Sequence, residues 1–260
     1  MAIERIVPGT KDWEAWYANH ISRYQFAAEK LLPINEPVVL DAACGVGYGS
    51  AFLSQKLPKS QLFGIDRSTE ALTIAKNQFQ YEHVRFLQDD CHTLEKVSFS
   101  GPFDAVVSFE TLEHLPKPDD FISACKRNLK RGGVLILSTP NQPFSSPEGL
   151  TWEFHEKEYT AKELVDLLGK HGFSSVEIYG QKFTAIGKLR YEIRRDFNRL
   201  HSNPFARIGS FIQRFLRGVK FPAILPEQPE DIEIVRYSDI NIIESEGQNG
   251  PFVLIAVCRV

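Results

Sequence analysis

Three acidic residues recur at equivalent places in the first third of the chain, each at the end of a short apolar run. Asp41 ends "VVLD", Asp66 ends "LFGID", and Asp90 follows "VRFLQ", with Asp89 beside it as the competing candidate. If these runs are parallel strands, their carboxyl ends lie at one edge of a sheet, which is where such sheets bind ligands. Carboxylates there can accept hydrogen bonds from an ammonium group, from ribose hydroxyls and from an adenine amino group. Together the three acids predict a site for a cationic nucleoside.

A glycine-rich turn follows the first of these acids, in "VVLDAACGVGYGSAFLSQKL". Gly45 and Gly47 let the backbone bend sharply and approach a ligand, and the next helix points its free N–H groups at the same place. No lysine follows as a P-loop requires, and the G-V-G-Y-G spacing differs from the G-x-G-x-x-G dinucleotide turn. An acid before paired glycines is instead typical of a turn that binds S-adenosylmethionine (SAM), although tight turns without a ligand also use glycine.

Residues next to these acids belong to the same predicted site. Asp66 is placed to bind both ribose hydroxyls, and it is also placed to cap the N-terminus of the helix "STEALTIA". Cys91 follows Asp90 and would bring its backbone close to an adenine ring. We assign Arg67, which follows Asp66, to the cofactor site as well.

The elements that must position these residues alternate along the chain as far as residue 180, which predicts an α/β fold with a doubly wound parallel sheet. Thr160 and Glu163 have the spacing of a capping box at the start of one helix. The predicted strands are 37–41, 61–65, 83–87, 103–108, 134–138 and 174–179, and the predicted helices are 49–56, 69–80, 118–129 and 161–171. We divide the chain into an N-terminal helical cap (1–36), a core (37–180), a basic helical insertion or acceptor lid (181–250) and a final strand (251–260).

Composition limits the classes of function. The 260 residues carry a net charge of −3, so we expect no general attraction to nucleic acid. The four cysteines form no C-x-x-C pair, which argues against zinc and against a disulfide framework. The N-terminus does not read as a signal peptide and no run is long enough to span a bilayer, so we expect a cytoplasmic protein.

The segment 182–220 is strongly basic, with ten lysines and arginines against the two acids Glu192 and Asp196. Its apolar residues recur at helical spacing, with arginines such as Arg194, Arg195 and Arg199 on the other side. Helices of this kind usually pack on the domain and leave their arginines in solvent. The alternative is contact with an anionic acceptor or with a membrane surface.

Six segments carry a family resemblance: "VLDAACGVGYG", "GID", "FLQDDC", "FDAVVSFETLEHL", "LKRGGVLILSTPN" and "FHEKEYTAKELVDLLGKHGF". Over about residues 20–180 and the final strand, the chain resembles class I SAM-dependent methyltransferases. The resemblance implies SAM as cofactor and a Rossmann-like sheet of seven strands in the order 3-2-1-4-5-7-6, with strand seven antiparallel. The cofactor-binding positions that we predict from it and from the residues above are Asp41, Gly45, Gly47, Asp66, Arg67, Asp90, Cys91, Phe109 and Glu110.

The N-terminal segment "WYANHISRYQFAAEKL" resembles the helix that closes over the cofactor in this family. Tyr17, His20 and Arg23 lie three residues apart, on one helical face. Such a stripe serves either packing or cofactor contact.

Two histidines are candidates for the group that removes a proton from an acceptor hydroxyl. His155 in "WEFHEKEY" lies in the loop after the fifth strand, where this fold builds acceptor pockets, and it is our first choice. His114 in "ETLEHL" follows the fourth strand. An imidazole pKa of about 6.5 suits this role near neutral pH. The alternative for each is a histidine that caps a helix or packs in a loop.

The segment "ETLEH" also resembles the E-x-x-E-H pattern of ubiquinone-biosynthesis O-methyltransferases, where it is associated with a divalent metal. Glu110, Glu113 and His114 would converge only if the segment turned as a helix. Mg²⁺ suits the two carboxylates, but histidine is a less typical ligand for it. We therefore expect no metal and keep Mg²⁺ as the alternative.

The expected reaction is methyl transfer from SAM to a hydroxyl of a sugar or another small molecule. The segments around the fourth and fifth strands most resemble bacterial methyltransferases of surface-polysaccharide assembly. The sequence F-E-T-L after the fourth strand differs from the [DNS]PP[YFW] motif, which disfavours methylation of DNA bases. The alternatives are a ubiquinone-type phenol methyltransferase, a SAM-binding regulatory protein without turnover and a nicotinamide dehydrogenase.

Overall fold

A central sheet of eight strands forms the core of the chain in a computed structural model, which describes residues 7–145, 154–192, 228–237 and 250–260. The helices are α1 (Lys11–Leu31), α2 (Tyr48–Lys56), α3 (Thr69–Gln78), α4 (Pro118–Asn128), α5 (Gln142–Ser145) and α6 (Ala161–Gly169). The strands are β1 (Val38–Ala42), β2 (Gln61–Asp66), β3 (Val84–Gln88), β4 (Phe103–Phe109), β5 (Leu129–Pro140), β6 (Ser175–Phe183), β7 (Ile232–Arg236) and β8 (Val253–Arg259).

The strand order is β3-β2-β1-β4-β5-β8-β6-β7. Strands β1 to β5 pair in parallel, and β8 runs antiparallel to both of its neighbours, β5 and β6. The final strand of the chain therefore lies between the fifth and sixth strands, in the order and direction that the family resemblance implies.

The predicted count of seven strands is wrong, because β7 adds an eighth strand at the sheet edge. This strand pairs antiparallel with β6, from Tyr179–Arg236 to Phe183–Ile232. It lies inside the segment that we predict as a helical insertion, and β6 extends four residues beyond its predicted end at residue 179. The sequence "IEIVR" alternates as a strand does. Acidic residues surround it, and for that reason the segment does not stand out as a strand in the sequence.

Alternate residues of the central strands pack into two hydrophobic layers on opposite faces of the sheet. In β1, Leu40 packs with residues of α4 and α6, such as Phe121 and Leu164. Its neighbour Val39 packs with Leu31 of α1 and Leu53 of α2 on the other face. Burial on both faces explains why these strands read as continuous apolar runs.

Local capping signals set the helix boundaries. The predicted capping box is confirmed at α6, where the Thr160 side chain accepts from the Glu163 N–H and the Glu163 side chain accepts from the Thr160 N–H. Within the described ranges, no helix combines the length and the apolar character that crossing a bilayer requires.

Candidate active site

Asp41 lies at the end of β1 with its side chain fully buried. The Ser50 hydroxyl of α2 donates to its carboxylate at 2.6 Å, and the Tyr24 hydroxyl of α1 lies 3.4 and 3.5 Å from its two oxygens. Burial raises the pKa of Asp41 to about 7, and the hydrogen bonds from Ser50 and Tyr24 oppose that rise. This carboxylate is held by neutral donors, so a cationic ligand beside it would stabilise its ionised form.

The glycine turn after β1 requires glycine for two different reasons. Gly45 and Gly47 both have left-handed backbone conformations, with φ of 56° and 83°. A Cβ at Gly47 would also lie 2.7 Å from Ala75 Cβ and 2.8 Å from Phe86 Cζ. A Cβ at Gly45 would meet nothing within 4 Å, so this residue faces open space. Gly47 therefore lets the turn pack on the domain, and Gly45 leaves room for a ligand.

Asp66 at the end of β2 connects two loops. Its carboxylate accepts from the Gly45 N–H at 3.0 Å and from the Ser68 N–H at 2.8 Å. The N-cap of α3 is Ser68, whose hydroxyl accepts from the Ala71 N–H, so the capping role considered for Asp66 belongs to Ser68. Asp66 instead fixes the glycine turn relative to the loop after β2.

The two acids after β3 have different environments. Asp89 is 5% exposed and accepts from the backbone N–H groups of Asp90 and Val97, so it has a structural role. The Asp90 side chain is 61% exposed and accepts from the N–H of His92. That backbone hydrogen bond lowers the pKa of Asp90 and keeps it ionised.

A cavity of about 280 Å³ opens between the ends of β2 and β3. Its lining residues are Arg67, Gln88, Asp89, Asp90, Thr93, Glu95 and Lys96. Cys91 lies beside it and is half-buried, and burial raises the pKa of its thiol to about 12. The cavity contains an accessible carboxylate where the sequence predicts one for an adenine amino group.

Helix α1 contacts the end of β4 through an ion pair. Arg23 is 1% exposed, and its Nη1 lies 2.5 Å from Oε1 of Glu110. The Ser138 hydroxyl of β5 donates to the same Glu110 carboxylate at 2.9 Å. Glu110 has a left-handed backbone conformation with φ of 50°, which is unusual for a residue with a side chain.

The predicted stripe Tyr17, His20 and Arg23 is only part of the contact surface of α1. His20 Nδ1 lies 2.9 Å from the Tyr48 hydroxyl, and burial, followed by the charge of Arg23, lowers the pKa of His20. Tyr24, which sequence analysis did not select, lies at Asp41 and meets the Phe109 ring edge-on with centroids 4.8 Å apart. Its ring occupies the space that a Cβ at Gly49 would need.

The two candidate histidines lie together beyond the ends of β4 and β5. Their ring centroids are 4.9 Å apart. His114 Nδ1 lies 2.9 Å from the carbonyl oxygen of Phe154, and His155 Nδ1 lies 2.7 Å from Oε1 of Glu158. Glu158 was not selected from the sequence, although its spacing of three residues from His155 was the available signal.

Glu113 completes this group. It is 1% exposed, the Thr139 hydroxyl donates to it at 2.9 Å, and burial raises its pKa well above the usual range. A carboxylate oxygen of Glu113 and one ring nitrogen each of His114 and His155 lie within 4.8 Å of one another. Among the described residues, the structure thus groups Glu113 and His114 with His155, whereas Glu110 is turned toward Arg23.

The described part of the basic segment pairs with acids that follow it in the chain. Lys182 Nζ lies 3.6 Å from Glu233 and Arg190 Nη1 lies 2.7 Å from Asp231. Asp231 is buried, and its carboxylate also accepts from the Gln228 N–H. Arg194, Arg195, Arg199 and the remainder of 193–220 lie outside the described residues.

Comparisons with known proteins agree on one family. Residues 35–193 match the model of a family described as "Methyltransferase domain". A "probable S-adenosylmethionine-dependent methyltransferase" of Mycobacterium tuberculosis is 30% identical over 243 residues, which is 92% of this chain and 81% of that protein. A ubiquinone biosynthesis O-methyltransferase of Colwellia psychrerythraea is 29% identical over 166 residues, which is 57% of this chain and 65% of that protein.

A solved structure shares the fold. The plantazolicin methyltransferase BpumL, solved in complex with S-adenosylhomocysteine, superposes with a TM-score of 0.53 and 17% identity. The match covers 94% of this chain and 84% of that one.

Proposed function

Because this chain belongs to the SAM-dependent methyltransferases, we propose that it transfers the methyl group to a hydroxyl oxygen of a small acceptor, with His155 as the base. The observation that carries the proposal is the buried pair of His155 and Glu158 beside His114, beyond the ends of β4 and β5. When bound, SAM supplies an electrophilic methyl carbon on a sulfonium. What this chain must add is alignment of the acceptor, exclusion of water and a group that takes the hydroxyl proton.

The residues at the carboxyl ends of β1 to β4 fit the cofactor. Gly45 leaves open space at the start of α2, Asp41 offers a buried carboxylate that lacks a cationic partner among the donors described above, and Asp90 offers an accessible one. We propose that Asp41 binds the ammonium group, Asp66 the ribose and Asp90 the adenine amino group. The remaining residues of the proposed cofactor site are Gly47, Arg67, Cys91, Phe109 and Glu110.

Helix α1 supports this arrangement. Arg23 is a buried cation at the end of β4, and its Nε has no hydrogen-bond partner among the residues that the structure describes. A guanidinium there suits the carboxylate of an amino-acid ligand. We propose that Arg23 shares its charge between Glu110 and that carboxylate, and that Tyr24 and Phe109 exclude water from the space between them.

The proposed base is supported by its surroundings. The side chains of His155 and Glu158 are 6% and 1% exposed, so a proton taken up by the ring is stabilised by a carboxylate in a water-poor site. The direct test is methyl transfer from radiolabelled SAM to nucleotide sugars, glycans and catechols by the wild-type protein and by His155→Gln. Loss of transfer with retained SAM binding is expected, whereas wild-type rates in the variant would contradict the assignment.

A second candidate mechanism uses a metal ion. The Phe154 carbonyl can only accept, so His114 donates to it through Nδ1, and His155 Nδ1 meets the Glu158 carboxyl group. In a neutral ring with its proton on Nδ1, Nε2 is the atom that could ligate a metal. With the buried carboxylate of Glu113, this makes a group of acceptors that a divalent cation would suit. The candidate ligands are Glu113, His114 and His155, rather than the predicted set with Glu110.

The metal candidate agrees with the ubiquinone-type phenol methyltransferase as the alternative reaction. Metal analysis of the purified protein and transfer assays with and without EDTA test it. A stoichiometric metal that is lost in Glu113→Gln, together with inhibition by EDTA, is expected for this mechanism. Full activity in metal-free protein would contradict the metal mechanism, and proton transfer to His155 would be the remaining one.

The acceptor class is proposed from sequence. The resemblance to enzymes of surface-polysaccharide assembly favours a sugar hydroxyl, and the basic segment 182–220 favours an anionic acceptor or a membrane face. Charge reversal of Arg194, Arg195 and Arg199 is expected to raise KM for the acceptor and to leave SAM affinity intact. Unchanged acceptor kinetics would contradict the anionic class, and vesicle binding distinguishes a membrane from a soluble anion.

A further inference from the structure

We propose that Asp90, Cys91 and His92 form a binding site for a thiophilic divalent cation such as Zn²⁺, and that this cation and the adenine of SAM exclude one another. The three residues lie in the loop after β3, and Asp90 lines the cavity between the ends of β2 and β3. The lack of a C-x-x-C pair argues against zinc bound by paired cysteines, whereas this group combines three residue types. The exclusion rests on the proposed function, which places the adenine at Asp90 and Cys91, but the metal site rests on the loop alone.

The loop offers an oxygen, a sulfur and a nitrogen donor at short range. A carboxylate oxygen of Asp90, the sulfur of Cys91 and a ring nitrogen of His92 lie within 4.8 Å of one another. Zinc bonds of about 2.0–2.3 Å place the ligands of a tetrahedral site about 3.3–3.6 Å apart. The three donors are therefore close to the spacing that a shared ion requires. The sulfur favours Zn²⁺ over Mg²⁺, which prefers oxygen ligands.

The polar contacts of the His92 ring suit a ring that binds a cation. Its Nδ1 lies 2.8 Å from Oδ1 of Asp90, and its buried Nε2 has no hydrogen-bond partner among the residues that the structure describes. Most buried polar atoms in proteins are satisfied, so an exception indicates a group that the chain itself does not supply. A shared ion would replace the one printed contact of the ring and leave no other hydrogen bond of the described chain broken.

Backbone groups and Asp89 hold this loop in place. The Asp90 carbonyl accepts from the N–H groups of Thr93 and Leu94 at 3.2 and 2.8 Å. The buried carboxylate of Asp89 accepts from the N–H groups of Asp90 and Val97. The three donors are therefore presented on a fixed turn, and binding an ion does not require the loop to be ordered first.

The surroundings of the loop favour a cation and give it access. Three acids line the cavity, Asp89, Asp90 and Glu95, against the two cations Arg67 and Lys96. The Asp90 side chain is 61% exposed, so an ion can reach its carboxylate from solvent.

Occupation of this site would change how SAM binds. The proposed function assigns the Asp90 carboxylate to the adenine amino group, and a metal ion engages the same carboxylate. Zn²⁺ is therefore expected to inhibit methyl transfer by weakening SAM binding, and a chelator is expected to reverse this inhibition. The metal candidate at Glu113 predicts the opposite effect of a chelator, which is loss of activity.

The test of the site is titration of the 260-residue protein with Co²⁺ in the absence of SAM. Co²⁺ bound to a cysteine sulfur gives a charge-transfer absorption band, and we expect this band in the wild-type protein and its loss in Cys91→Ser. The group of Glu113, His114 and His155 contains no sulfur and cannot produce it. Absence of the band in wild-type protein overturns the proposal without any variant, and a band that persists in folded Cys91→Ser overturns it as well.

Zn²⁺ affinity, measured by competition with a chromophoric chelator, tests the second ligand. His92→Gln is expected to lower this affinity by more than about tenfold, because loss of an outer-shell partner alone has an effect of about that size. The matched control is His83→Gln, a half-buried histidine outside both donor groups, which should leave the affinity unchanged. Equal affinities in the wild type and His92→Gln would overturn the three-residue site. Thermal unfolding verifies that the variants are folded.

Competition between Zn²⁺ and SAM separates the inference from the function on which it rests. The apparent Kd for Zn²⁺ is expected to rise in proportion to the concentration of SAM, with methionine as the control for chelation by the amino-acid group of the ligand. A cobalt band together with a Zn²⁺ affinity that is independent of SAM supports the metal site and contradicts the placement of adenine at Asp90. Absence of the band with normal SAM binding overturns the metal site and leaves the proposed function standing.

Discussion

Two regions of the candidate site differ in how far apart in sequence their contacting residues are. The cofactor half comprises Asp41, Asp66 and Asp90 at the ends of the first three strands, and the acceptor half comprises Glu113, His114 and His155 beyond β4 and β5. Around the first three strands, acids contact groups that are close in sequence, such as Asp41 with Ser50 and Asp66 with Ser68. Beyond β4 and β5, His114 contacts a carbonyl 40 residues away and Glu113 contacts Thr139, 26 residues away. The partners of Asp41 and Asp66 described above lie at most 21 residues away in sequence. Glu113 and His114 instead reach their positions only when the loops of two strands meet, and the pair of His155 and Glu158 is the local exception in the acceptor half.

The largest expected effect is a loss of catalysis that leaves SAM binding unchanged. His155→Gln removes the proposed base, and general-base catalysis contributes about 10²- to 10⁴-fold, so kcat should fall within that range. SAM affinity should be unchanged because no cofactor residue is altered. Initial rates and calorimetric SAM titration check both, and a fall in SAM affinity would mean that the halves are not independent.

The reciprocal change acts on the cofactor half. Asp41→Asn keeps the shape but removes the charge, and a hydrogen bond to a charged group contributes about 1.5–3 kcal/mol. SAM affinity is therefore expected to fall by about 10- to 100-fold, measured by calorimetry. The acceptor KM at saturating SAM should remain that of the wild type. Unchanged SAM affinity would remove Asp41 from the cofactor site.

The pH dependence of SAM binding sharpens the role of the same carboxyl. Burial raises the pKa of Asp41 to about 7 in the free protein, and a cationic ligand binds its ionised form, so binding releases a proton. SAM affinity should rise about tenfold per pH unit below 7 and level off above it. In Asp41→Asn, SAM affinity should lack this dependence on pH. Titrations in buffers of different ionisation enthalpy measure the released proton.

Folding stability should show the opposite trend. The folded pKa of Asp41 lies above the unfolded value near 3.8, so the folded protein binds more protons between these values. This contribution favours the folded state below pH 4 and is lost as pH rises toward 7. Chemical unfolding of the free protein should therefore show a steeper decline over this window in the wild type than in Asp41→Asn. Equal slopes would contradict the raised pKa.

The smallest expected effect compares two glycines of one turn. Gly45→Ala should destabilise the fold by about 1–3 kcal/mol through its left-handed backbone alone. Gly47→Ala should cost more, because its Cβ would also lie 2.7 Å from Ala75. Denaturant unfolding of both variants measures the difference. Equal losses of stability in the two variants would show that Ala75 of α3 shifts away from the added Cβ without a cost in free energy.

The same division explains what the sequence could predict. The alternation of strands and helices and the α6 capping box follow from local patterns, and both are observed. The order of the sheet and its antiparallel final strand follow from the family resemblance, and the structure shows them with an eighth strand added at the edge. The sequence predicts Asp90 as the site residue and leaves Asp89 as the competing candidate; in the structure Asp90 is exposed and Asp89 is buried, and the role of Asp90 stays a prediction.

What sequence analysis missed depends on contacts between distant segments. Tyr24 reaches Asp41 from α1, and Glu110 turns toward Arg23 because its backbone adopts a left-handed conformation. Strand β7 does not stand out in the sequence because acidic residues surround it, and only its pairing with β6 in the structure identifies it as a strand. None of these contacts leaves a periodic signal in the chain.

The place of β8 has a consequence for synthesis on the ribosome. This strand is the last of the sheet to be translated, yet it alone joins β5 to β6, since those two strands do not pair with each other. The strands β1 to β5 pair with one another without β8, whereas β6 and β7 pair with each other and join the rest of the described sheet through β8. Closure of the described sheet therefore requires that residues 253–259 have emerged, whatever the order in which the earlier strands pair.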